Sequence, residues 1–117
     1  MNLDISHKPN YFLFAQLLMR FIEKHPPTPP HNQLTIPLTQ LEEIFQGNAA
    51  ATTMNLQGIL NIADEYQIET LSGDQKLIQS YHVDSEQSAL VLELNPESIT
   101  ELAQGKPLIT PDATLQQ

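Results

Sequence analysis

The side chains that could do chemistry in this chain are its histidines and carboxylates, because it has no cysteine. That absence excludes disulfides, thiolate metal sites and cysteine nucleophiles together. The histidines are His7, His25, His31 and His82, and none has the HxxxH or HExxH spacing that puts two ligands on one helical face. His25 and His31 flank a proline segment, where a solvated loop is the simpler expectation than a metal pair. The carboxylates come as adjacent pairs, Glu42–Glu43 and Asp64–Glu65. Neighbours in a helix diverge rather than share one cleft, so these pairs read as solvated faces and not as acid/base dyads. No phosphate-binding glycine loop and no serine elbow is present. The expectation is a non-enzyme without cofactor or metal.

Charge is more informative. Fourteen acids face five bases, Lys8, Arg20, Lys24, Lys76 and Lys106, for a net charge of −9. The stretch between Lys24 and Lys76 has no Lys or Arg, yet holds Glu42, Glu43, Asp64, Glu65, Glu69 and Asp74. Nucleic-acid surfaces concentrate Lys and Arg to displace phosphate counterions, so this central region repels DNA. Those six acids are the candidate partner-binding residues, for a protein partner with a basic surface. If duplex were the ligand, Asn55, Gln57 and Asn61 are the side chains able to read base edges.

The elements that must position these residues follow from pattern. Residues 1–10 read as a polar arm. Residues 11–25, YFLFAQLLMRFIEKH, are good helix formers that are apolar around most of the circumference. Such a helix lies at the centre of a core or in a homodimer interface. The prolines of PPTPP, 26–30, end it as a stiff connector. LTIPL, 34–38, is a short strand with Pro37 at an edge or end. Thr39 and Glu42 match a capping box opening a second helix, with Leu41, Ile44 and Phe45 inward and Gly47 as its stop. Asn48–Thr52 reads as a turn. A third helix runs from about Thr53 or Asn55 to Gln67, with Gly58 permitting a close helix contact.

The period then changes. KLIQSYHV, 76–83, puts Leu77, Tyr81 and Val83 on one face, with Gln79 breaking the alternation; ALVLEL, 89–94, does the same with Leu90, Leu92 and Leu94. The polar residues 84–88 join them as a β-hairpin. Asn95 caps a last helix with Pro96 first, closed by Gly105 and Pro107. Residues 106–117 are expected to form a tail outside a domain of 11–105. No stretch has the roughly 20 apolar residues of a membrane span. A soluble, cytoplasmic protein is expected.

Helix, short strand, helix, helix, β-hairpin wing and C-terminal helix make an α+β chain in the order of a winged helix-turn-helix. The third helix then stands in the recognition position. The sequence resembles, over about Leu34 to Leu102, the winged-helix modules of plasmid and phage replication initiators. LTIPLTQLEEIFQG, LQGILNIADEYQI and LVLELNPESITEL carry the likeness, with Leu60 and Ala63 in the phase of the initiator third helix and Glu65 one residue early. The resemblance implies DNA binding, but the basic recognition helix of such modules is missing from TMNLQGILNIADEYQ. In size and composition the chain also looks like small acidic proteins that block bacterial defence or nucleic-acid enzymes. The expectation is therefore an inhibitor or DNA mimic acting by protein–protein interaction, with a DNA-binding or initiator-like winged helix, able to act as a dimer, as the alternative.

Overall fold

The computed structural model describes residues 10–28, 31–48, 51–52 and 55–111. Residues 1–9 of the expected arm, the end of the proline segment, Thr53 and the last six residues lie outside these. The elements in chain order are α1 (Tyr11–Lys24), β1 (Gln33–Pro37), α2 (Leu38–Ile44) and α3 (Leu56–Ala63). They continue as β2 (Gln67–Thr70), β3 (Gly73–Lys76), β4 (Ile78–Asp84), β5 (Ala89–Leu94), α4 (Pro96–Ala103) and β6 (Leu108–Ile109). The chain is α+β, with two three-stranded antiparallel sheets ordered β1–β5–β4 and β3–β2–β6.

Helix α1 begins where the Asn10 side chain accepts the Leu13 amide at 3.0 Å. It buries Phe14, Ala15, Leu18, Met19 and Ile22 and leaves Phe12, Leu17 and Phe21 half-buried on its flanks. The nearly all-apolar helix is thus a core helix with two partly covered sides. Its N-terminal end meets α3 through Gly58. A Cβ there would lie 2.5 Å from the Tyr11 ring, so the absent side chain is what lets the ring sit on the helix. The Tyr11 hydroxyl then donates to Asn55 Oδ1 at 3.2 Å.

Helix α2 does not use the capping box. Pro37 precedes Leu38 directly, no side chain caps the helix, and the Leu38 amide donates to Ser88 O at 2.9 Å. The strand runs straight into the helix, which starts at Leu38, so Thr39 lies inside the first turn rather than at the cap position. Leu41 and Phe45 are buried, Phe45 against Phe14 at 5.4 Å between ring centroids. Gly47, at φ +81°, ends the turn as expected. Ala51 and Thr52 are helical and buried rather than a polar turn, and the Asn48 side chain accepts the Ala51 amide.

Helix α3 ends at Ala63, short of Gln67, and buries Leu56, Ile59, Leu60, Ile62 and Ala63. Gln67 instead opens β2, and the β2–β3 hairpin is an element that pattern reading did not find. Ile68 and Thr70 are buried on its inner side against α4. Leu108–Ile109 pair with Gln67–Ile68, so this part of the expected tail belongs to the fold.

In the other sheet a register shift between Ile78 and Ser80 explains why Gln79 broke the alternation. A bulge moves the inward parity from Ile78 to Tyr81, beside the buried Leu92. The β4–β5 turn has no glycine; Ser88 takes the positive φ, +49°, and Asp84 Oδ1 accepts the amides of Glu86 and Gln87. Asn95 caps α4 by accepting the Glu97 amide at 3.0 Å, with Pro96 first, as expected.

Candidate functional site

The outer surface of α3 and the neighbouring strand β4 meet in a polar cluster. Gln57 and Asn61 are four apart, so they stand one above the other on the helix. The Gln57 Nε2 group donates to Asn61 Oδ1 at 3.0 Å and to the Tyr81 hydroxyl at 3.1 Å. Tyr81 in turn donates to Asn61 Oδ1 at 3.2 Å. Both amides are exposed and Tyr81 is half-buried, so the cluster ties the helix to the sheet at the surface. The third base-reading candidate, Asn55, receives the Tyr11 hydroxyl. Tyr81 was not foreseen as part of this site, because its partners lie twenty or more residues earlier in the chain.

The six acids fall on three elements. Glu42 is half-buried and Glu43 exposed on α2, which packs on α1 and β1. Asp64 follows α3 and forms an ion pair with Lys76 at 2.8 Å; Glu65 beside it is exposed. That hydrogen bond, and then the carboxylate charge, hold the Lys76 ammonium above the ordinary lysine range. Glu69 and Asp74 face one another across β2 and β3. Like charges in such a pair are unfavourable. Lys106 offsets part of this, standing 3.7 Å from Glu69 and 3.8 Å from Glu101. The hairpin also draws in Glu97, which accepts the Ser72 hydroxyl at 3.0 Å, a carboxylate that sequence reasoning did not single out.

These contacts are of the kind that recognise a ligand. Among the described residues no three His, Asp or Glu side chains converge as a metal site. Among the same residues no helix is long and apolar enough to cross a membrane. An open cleft of about 110 Å³ lies between α1 and Tyr66, lined also by Arg20, Glu23 and Leu108. The Tyr66 hydroxyl there is pushed up from the ordinary tyrosine range, mainly by burial.

No protein-family model matches the chain, and no curated protein matches it at significant similarity.

Proposed function

We propose that this chain is a non-enzymatic regulator on a winged-helix scaffold, acting by occupying a basic, nucleic-acid-binding surface of a protein partner. The strand order β1–β5–β4, with β1 between α1 and α2 and the β4–β5 hairpin after α3, supports the scaffold, in which α3 takes the recognition position and β4–β5 the wing, the β2–β3 hairpin being inserted between them.

The state of α3 carries the functional reading. An amide side chain reads adenine with its NH₂ and its oxygen together. Gln57 already donates its NH₂ to Asn61 and Tyr81, and the Asn61 oxygen accepts from both Gln57 and Tyr81. Reading a base with either one means opening the cluster first. The charge beside it is unsuited to phosphate as well. Asp64 and Glu65 follow the helix, Asp84 and Glu86 stand at the wing turn, and Lys76, the nearby cation, is neutralised by Asp64. A carboxylate-rimmed polar surface of this kind suits a protein groove lined with Lys and Arg.

The test is affinity capture from the native host, comparing the natural chain with a Glu43→Lys, Glu65→Lys, Glu86→Lys variant. A partner with a basic surface, retained by the natural chain, lost by the variant and released by salt, is the expected result. Micromolar binding of the natural chain to duplex DNA at low salt, read by fluorescence anisotropy, would overturn the proposal. That outcome is what the duplex-binding alternative requires, resting as it does on the exposure of Gln57 and Asn61 on α3.

A further inference from the structure

Two surface features outside the α3 face complement each other. The first is the β2–β3 turn, whose tip residue Leu71 is 97% exposed. The turn is braced: Thr70 Oγ1 donates to Gly73 O at 2.7 Å and accepts the Ser72 amide at 3.1 Å. The exposed leucine is therefore held out on a fixed backbone, with Glu69, Asp74 and Glu97 around its base. A single exposed leucine is common and needs no partner. What sets this one apart is the second feature.

That feature is an open groove of about 360 Å³ along one flank of α1. Leu17 and Phe21, one helical turn apart, and Ile44 of α2 make its apolar floor. Arg20, Lys24 and His25 form its rim, with the His25 ring 4.7 Å from the Phe21 ring. Lys76 and Lys106 are engaged by carboxylates, whereas Arg20 and Lys24 enter no ion pair among the described residues. An apolar hole with a basic rim thus exists on the same chain as an apolar knob with an acidic collar.

We propose that the Leu71 tip of one molecule seats in the α1 groove of a second copy, its collar of Glu69, Asp74 and Glu97 facing Arg20 and Lys24. Knob and hole lie on different elements, so the contact either closes reciprocally as a two-fold dimer or runs head to tail into a ring or short chain. The net charge of −9 opposes association through self-repulsion, so the contact forms as protein concentration rises.

Sedimentation velocity of the full chain, up to millimolar protein, tests this. The natural chain should grow in mass beyond a monomer. Leu71→Asp, and separately Arg20→Glu with Lys24→Glu, should each weaken association by about ten- to a hundredfold, as expected for one buried leucine or its paired charges. Mixing the two variants is the decisive arm. One keeps an intact groove and the other an intact tip, so together they should form a one-to-one dimer that stops there. Arg20→Gln with Lys24→Gln serves as a second groove variant, and circular dichroism verifies that each remains folded. A monomer at every concentration, a dimer indifferent to Leu71→Asp, or a mixture that fails to associate overturns the proposal. Loss of this contact would leave the α3 reading untouched, since none of these substitutions falls on that face.

Discussion

Gly58 offers a prediction whose sign depends on one neighbour. Glycine inside a helix costs about 1 kcal/mol relative to alanine, so Gly58→Ala on helix propensity alone stabilises by that amount. In the folded chain the new Cβ would stand 2.5, 2.8 and 3.0 Å from three atoms of the Tyr11 ring. Carbon atoms rest at about 3.5–4.0 Å, so the ring has to retreat by about 1 Å. Moving it strains the packing of α1 on α3, for which overpacking costs are about 1–3 kcal/mol. It also breaks the 3.2 Å hydrogen bond to Asn55, worth about 1 kcal/mol. The cost exceeds the gain, and Gly58→Ala should destabilise the natural chain by about 1–2 kcal/mol. In a Tyr11→Ala background the obstacle is gone, and the same substitution should stabilise by about 0.5–1 kcal/mol. Urea unfolding followed by circular dichroism gives all four corners of the cycle. If Gly58→Ala stabilises both backgrounds equally, the ring contact does not determine the residue at this position and the reasoning fails.

Three further outcomes follow from single contacts. Asn95→Ala removes the cap of α4, and urea midpoints should fall by the equivalent of about 1 kcal/mol; Asn95→Asp, which keeps the acceptor, should lose far less. Ser98 is fully buried and its hydroxyl donates to Lys76 O at 3.0 Å, so Ser98→Ala should cost about 1 kcal/mol or more by leaving that carbonyl unsatisfied, and a change within error in the same assay would remove this bond from the account. Tyr66 and Lys76 both hold their protons more tightly in the fold, Tyr66 through burial and Lys76 through Asp64, so stability should be intact below the ordinary tyrosine range and fall as pH rises through it. The exposed Lys76 pair contributes little; Tyr66→Phe should therefore flatten most of that alkaline decline, and an unchanged slope across a pH series of urea titrations would contradict the assignment.

What could be read from the sequence was what local chemistry decides. The Asn95–Pro96 start of α4, the Gly47 stop and the alternation of Leu90, Leu92 and Leu94 each depend on residues a few positions apart, and each appears where expected. The misses are long-range. Thr39 is no cap because β1, held in register on β5, leads directly into a helix that starts one residue before it. The bulge at Gln79 looked like a broken pattern because a change of parity appears only against the partner strand. The β2–β3 hairpin was hidden because QIET and GDQK are short, polar on one side, and joined to a helix whose apolar stripe seemed to continue through Tyr66.

The candidate site divides in the same way. That α3 carries amides and no cation and is followed by Asp64 and Glu65 is a matter of composition, visible without a structure. Where those groups spend their hydrogen bonds is not. Lys76 in isolation would soften the case against a phosphate ligand. Its ammonium lies 2.8 Å from Asp64, so the pair presents no net charge to a ligand while Glu65 stays exposed beside it. Gln57 and Asn61, the side chains best suited to reading a base, satisfy each other through Tyr81. Attraction to phosphate and direct reading of bases are the two things a recognition helix must supply. Each is weakened here by a separate contact, and these two contacts are what support the protein groove proposed for this face.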